Sequence, residues 1–256
     1  MRIANHGRGK PLLLVHGLGS SGHAWEPILR PLADARRVIV PDLPGHGLSL
    51  AEPDSRTFEG LVRSMAEWLA AERLSGIDMV GSSLGGRVVL ELARRGLAGN
   101  VVALDPGGFW KGWERQFAVA SLSASRALVI GLKPLLPTLA GNSVTRSALL
   151  AQLSARPWAL DGRFVAEELR LLADTPTVPS LIQDLGYGPG QQGVADTGKQ
   201  LAIGWGRHDR LCLPAQAWRA AGRFPSARLH WFEHSGHFPM WDEPTETIRL
   251  ISQVCG

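Results

Sequence analysis

The sequence predicts an α/β fold: a mostly parallel central sheet with helices on both faces and one inserted helical segment. Three observations predict it. Short apolar runs alternate with helical periodicities. The runs are apolar throughout rather than at every second residue, as in strands buried on both faces. The alternation stops over residues 107–195 and then resumes. Repeated strand–helix units of this kind require parallel pairing and crossover connections. A chain of 256 residues, 45% hydrophobic and 20% charged, is large enough for one such domain with an insertion.

In order, Met1 to Lys10 precedes the first core strand, Leu12-Leu13-Leu14-Val15, which ends in the small-residue loop His16-Gly17-Leu18-Gly19-Ser20-Ser21-Gly22. A short helix follows through Trp25, Ile28, Leu29 and Leu32, then the strand Val38-Ile39-Val40. Phe58, Leu61, Val62, Met65 and Leu69 mark an amphipathic helix over 58–74, with Thr57 placed to cap it. Further strands are read at Ile77-Asp78-Met79-Val80, Val101-Val102-Ala103-Leu104, Leu201 to Trp205 and Arg228 to Phe232. The last two helices are expected from about Pro214 to Arg223 and from Pro244 onward. Residues 1–106 and 196–256 are thus expected to form the core, and 107–195 a helical lid broken by Pro134, Pro137, Pro157, Pro176 and Pro179.

Composition narrows the function classes. A net charge of +4 without a Lys/Arg block argues against a nucleic-acid surface. Met1 to Gly7 lacks the apolar core of a signal peptide. No apolar run approaches 18 residues, because Lys133, Pro134 and Pro137 interrupt the stretch Leu128 to Ala140, so no membrane insertion is expected. Cys212 and Cys255 show no metal-site spacing and read as free buried thiols of a cytoplasmic protein. No His/Asp cluster has zinc-ligand spacing, so neither metal nor cofactor is expected.

The chemistry centres on Gly81-Ser82-Ser83-Leu84-Gly85. The G-x-S-x-G pentapeptide alone is weak, but here a strand precedes it and an apolar helix, Arg87 to Ala93, follows. Strand, G-x-S-x-G and helix form a nucleophile elbow, a bend tight enough to demand glycine at its flanks. A serine nucleophile needs a base and a carboxylate to orient that base. In an open sheet, both belong on loops leaving the carboxyl ends of other strands. Asp209 follows the strand ending at Trp205, and His237 follows the one ending at Phe232, giving the chain order Ser, Asp, His. His234 is a rival base and Asp105, at the end of the strand after the elbow, a rival acid. His16 and His46 read as loop braces and Asp42 as a turn-capping residue.

His16-Gly17-Leu18-Gly19, Asp42-Leu43-Pro44-Gly45-His46-Gly47, the elbow, Asp209 and Gly236-His237 together resemble the α/β-hydrolase superfamily over nearly the whole chain. The resemblance implies Ser83 as nucleophile, His237 as base and acid, Asp209 as orienting carboxylate, and the backbone N–H groups of Leu18 and Leu84 as oxyanion hole. Serine at the elbow implies acyl transfer, since dehalogenases and epoxide hydrolases of the superfamily carry aspartate there.

The lid is expected to set the substrate. Between 107 and 160, Lys111, Arg115, Arg126, Lys133, Arg146 and Arg156 face only Glu114, a basic rim able to steer an anionic partner such as an acyl carrier protein. Leu18, Ser82, Phe109, Trp110, Arg146 and Phe238 are the expected substrate contacts. This combination is similar to the pimeloyl-acyl-carrier-protein methyl ester esterases of biotin synthesis. General carboxylesterases, lactonases and carbon–carbon bond hydrolases share the same chemical groups, and a hydrolase-fold ligand receptor is the reading from another class.

Overall fold

A computed structural model describes residues 1–194 and 196–256. Its sheet has seven strands: β1 (Ile3–His6), β2 (Pro11–Val15), β3 (Arg37–Pro41), β4 (Asp78–Ser82), β5 (Val101–Leu104), β6 (Leu201–Gly206) and β7 (Arg228–Phe232). The order is β1-β3-β2-β4-β5-β6-β7, with every pair parallel except β1 against β3. The edge strand β1 lies within the segment read as a mere lead-in. It has only four residues, two of them exposed, and is defined by backbone pairing with Val38–Pro41, which leaves no side-chain periodicity to read.

Around the sheet lie α1 (Glu26–Ala35), α2 (Phe58–Ala71), α3 (Leu84–Arg94), α4 (Glu114–Leu132), α5 (Leu136–Gly141), α6 (Ser143–Leu149), α7 (Gly162–Asp174), α8 (Val178–Tyr187), α9 (Ala215–Arg223), α10 (Pro239–Asp242) and α11 (Pro244–Cys255). Successive strand residues point to opposite faces. Leu13 and Val15 accordingly join the core beneath α2, α3 and α9, while Leu12 and Leu14 join the one beneath α1 and α11. Thr57 caps α2 by accepting from the Gly60 N–H at 3.1 Å.

The strand order reverses between β2 and β4: β3 lies on one side of β2, and β4, β5, β6 and β7 on the other. Loops leaving the carboxyl ends of β2 and β4 therefore diverge and open a crevice, the usual ligand position in such sheets.

Between β5 and β6 the described residues hold α4, α5, α6, α7 and α8 and no strand; the end of the expected insertion at position 195 lies outside the described residues. These helices pack mainly on one another. Glu114–Gly141 is long and apolar enough, by length and composition, to match a bilayer-spanning helix. Ser121, Ser123, Ser125 and Arg126, together with Lys133, Pro134 and Pro137, interrupt it, so it holds no long uninterrupted apolar run. Its inner side chains, Ala118, Val129, Leu136 and Ala140, are buried, whereas Leu128, Ile130 and Leu135 are exposed.

One buried cluster ties the insertion to the loop after β2. Glu168 on α7 accepts from Ser20 Oγ at 2.7 Å through one oxygen and meets His23 Nδ1 at 2.7 Å through the other. His23 also stacks on Phe164. The Glu168 hydrogen bond, working against partial burial, raises the His23 pKa above its ordinary value. Because the folded state holds this proton more tightly, its stabilisation is complete below the unfolded value of about 6.5 and fades as pH rises through the raised pKa. The Tm margin of wild type over His23→Gln is therefore expected to be widest in acid and to shrink toward alkaline pH. A margin flat over roughly pH 5 to 9 would show that the imidazolium is not what holds the two together.

Candidate active site

Ser83 sits between β4 and α3 with φ 55° and ψ −114°, a left-handed backbone that costs a non-glycine residue about 1–3 kcal/mol. The surroundings hold it there. Its N–H donates to Leu104 O at 2.9 Å, and its carbonyl accepts from Arg87 N at 3.0 Å. The flanking glycines are obligatory: a Cβ at Gly81 would lie 2.2 Å from Gly85 O, and one at Gly85 would lie 2.1 Å from Val15 O.

The structure brings Ser83, Asp209 and His237 together. Ser83 Oγ is 2.8 Å from His237 Nε2, and His237 Nδ1 is 2.8 Å from Asp209 Oδ2. Asp209 Oδ1 accepts the N–H groups of Leu211 and Cys212, which leaves Oδ2 for the imidazole. A carboxylate only accepts, so Nδ1 carries the ring proton and Nε2 offers its lone pair to the serine hydroxyl. His237 and Asp209 are 1% and 2% exposed, so water does not compete for these bonds. The backbone N–H of His237 donates to Leu153 O at 2.9 Å, so the inserted segment helps fix the imidazole.

The rivals stand elsewhere. His234 lies on the surface turn after β7, its N–H donating to Glu243. Asp105 is fully buried beside Asp209 and accepts from Gly206 N at 2.8 Å. Burial, reinforced by the Asp209 charge, holds its pKa well above the usual carboxylate range. His16 donates Nδ1–H to Gly17 O at 2.8 Å and accepts Leu43 N–H at Nε2, a brace for the loop carrying Leu18. Burial lowers the pKa of His16 to about 4 and that of His46 to about 3, so both are neutral over the physiological range. Asp42 accepts from Gly22 N and Leu48 N, tying two loops together.

Leu84 opens α3, and neither its N–H nor that of Leu18 donates to a protein group among the described residues. Gly17 lets the Leu18 loop press against the serine, since a Cβ there would lie 3.3 Å from Ser83 Cβ. Both leucines line a cavity of about 80 Å³ at Ser83 and His237, together with Trp110, Leu122, Leu153, Leu172, Leu185, Leu211 and Phe238. Three expected substrate contacts are not among its lining residues. Phe109 is 1% exposed and packs edge-on against Trp205 and Phe224 in the core. Ser82 is wholly buried in β4. Arg146 is buried within the insertion, its guanidinium donating to the carbonyls of Ala140, Gly141, Pro157 and Trp158. The basic rim is likewise thinner than its residue count: Lys133 pairs with Asp174, and Arg126 and Arg115 donate to the carbonyls of Ala173 and Gly186.

The one permanently charged lining residue, Arg87, was not predicted, although it lies in the first turns of the helix that follows the elbow, its N–H bonded to Ser83 O. Cys212 also lines the cavity, and Asp209, Cys212 and His237 each present one ligand atom within 4.8 Å of the others. Those atoms do not form a free cation site. Asp209 and His237 are committed to each other and to Ser83, and burial with the Asp209 charge pushes the Cys212 thiol well above its ordinary pKa.

Residues 12–250 match the model of the alpha/beta hydrolase family. An uncharacterized protein of Mycobacterium tuberculosis is 29% identical over 98% of this chain and 76% of its own length. The pimeloyl-[acyl-carrier protein] methyl ester esterase of Aeromonas hydrophila is 26% identical over 99% of this chain and 98% of its own. Among solved structures, a thermophilic esterase from Thermogutta terrifontis superposes with a TM-score of 0.75 at 20% identity, covering 98% of this chain and 91% of that one, a likeness of fold. The chain belongs to the alpha/beta hydrolase family.

Proposed function

We propose that the protein is a serine hydrolase that cleaves carboxylic esters through an acyl-enzyme. The observation that carries this reading is the continuous hydrogen-bonded path from Ser83 Oγ through His237 to Asp209, each step 2.8 Å. His237 Nε2 takes the hydroxyl proton as Ser83 Oγ attacks the ester carbonyl. The tetrahedral oxyanion is met by the N–H groups of Leu18 and Leu84; one such donor is typically worth about 10²–10³ in turnover. His237 then gives its proton to the departing alcohol, Asp209 stabilises the transient imidazolium, and water releases the acid by the reverse sequence.

The cavity of about 80 Å³ is far below the roughly 300–1,000 Å³ of sites that enclose drug-sized ligands. A short acyl group fits the closed form, and a long one requires the insertion to move. An acyl-carrier-bound ester is a narrower proposal. Its basic contacts fall to the exposed Lys111 and Arg156, the latter lining with His208, Arg210 and His234 an open surface groove of about 630 Å³. A KM that rises with salt for a carrier-bound ester, and not for a small neutral ester, is its signature; equal salt responses would remove it.

Ser83→Ala is expected to abolish hydrolysis of p-nitrophenyl butyrate while the protein stays folded; retained turnover in that folded variant would refute the serine mechanism. A panel including lactones and carbon–carbon bond substrates, which the same groups can process, checks the ester assignment. Asp209→Asn is expected to lower kcat by about 10³–10⁴ by favouring the wrong imidazole tautomer. Asp105→Asn, at a buried carboxyl outside the hydrogen-bonded path from Ser83 to Asp209, is expected to change kcat only a few-fold. Equal losses in the two variants would give Asp105 a larger part than burial and geometry assign it.

A further inference from the structure

The cavity wall is leucine, tryptophan and phenylalanine almost throughout, and Arg87 is the permanent charge in it. Its side chain is 2% exposed. A buried guanidinium is costly unless its donors and its charge are answered. Arg146 shows how this chain answers a structural one, with four carbonyl acceptors around it.

Arg87 is answered poorly. Nη2 donates to Pro189 O at 2.6 Å, the Phe58 ring lies 3.7 Å from Cζ, and the buried Nε–H has no partner. Among the described residues, no carboxylate lies within 4.0 Å ion-pair distance of it. The two acids whose fields reach it are engaged elsewhere: Asp184 accepts from Phe58 N, and Glu91 holds Arg94, Arg95 and Gln191. Burial lowers the Arg87 pKa to about 10, which still leaves it charged at neutral pH.

Resting on the esterase reading above, we infer that Arg87 receives a carboxylate of the substrate: the enzyme takes half-esters of short dicarboxylic acids, with the free carboxylate on the acyl side. Arg87 is the fourth residue of α3, its N–H donates to Ser83 O at 3.0 Å, and both residues line the same cavity. A guanidinium offers a carboxylate paired donors in a fixed plane. The acyl side is chosen because the alcohol must leave after the first step, whereas a group held at a nearly inaccessible arginine stays through the acyl-enzyme. The small cavity limits the chain between the two carboxyls to a few carbons. A neutral ester would bury the guanidinium with nothing to pair it, and sites built this way discriminate strongly against the analogue that lacks the bonding group.

The test compares monoethyl with diethyl esters of succinate, glutarate and adipate, taking the ratio of kcat/KM within each protein so that the folded fraction cancels. In the wild type, the best half-ester is expected to be favoured by about ten- to a hundredfold, the worth of a charge-assisted hydrogen bond. Arg87→Gln should bring the ratio to one or below, and Arg87→Lys should retain part of the preference. A wild-type ratio near one with Ser83-dependent hydrolysis of the diethyl esters would overturn the inference and leave the esterase reading standing. So would a preference that survives in Arg87→Gln. Failure to hydrolyse any of the six esters would count against both.

Discussion

Everything at the site depends on one local constraint, the bend that holds Ser83 in a left-handed backbone. The strain is tolerated because neighbours leave the residue no alternative. Leu104 O and Arg87 N hold its peptide groups, and the absence of Cβ atoms at Gly81 and Gly85 lets β2, β4 and α3 come together. That closeness stands the hydroxyl at the sheet's carboxyl edge with the first N–H of α3 beside it, where the helix terminus favours negative charge. Relaxing the bend would carry the hydroxyl away from His237 even with all three side chains intact.

Burial does the second part of the work. Asp209, His237, Asp105, His16 and His46 are nearly inaccessible, and burial shifts the pKa of Asp105 upward and those of His16 and His46 downward. Asp209 is held by two backbone N–H groups and the imidazole, while Asp105, deeper and beside a negative charge, is driven toward the neutral form. Two carboxyls on adjacent strand ends thus differ in surroundings, one bonded to the imidazole of His237 and the other buried against the N–H of Gly206. The neutral His16 spends both ring nitrogens on backbone groups and so keeps the Leu18 loop in place.

The insertion is more than a cover. Leu153 O receives the N–H of His237, and Asp242 in α10 holds the N–H groups of Ala155 and Gly236 through one oxygen and Ser154 through the other. Glu168 reaches across to Ser20 and His23 on the opposite side. The segment around residues 153–155 is therefore anchored to the loop bearing the imidazole, and α7 to the loop bearing Leu18.

The strands buried on both faces could be read from the chain because a parallel sheet demands uninterrupted apolar runs, and the elbow because its glycines answer a local steric need. The order serine, aspartate, histidine followed from the strands that precede each residue. β1 and α10 could not be read, one being defined by pairing and the other spanning four residues around Trp241. Composition placed Phe109 and Arg146 in the substrate site, and packing put them elsewhere. Arg87 was legible as part of the helix after the elbow, yet only the fold showed that its charge faces no carboxylate. The sequence by itself determined the sheet, the bend and the chemical types available, since these rest on periodicity and backbone sterics within a few residues. Tertiary structure alone decided which inserted side chains meet the cavity and which groups remain unpaired, because those are relations between surfaces separated by scores of residues, and no local pattern encodes them.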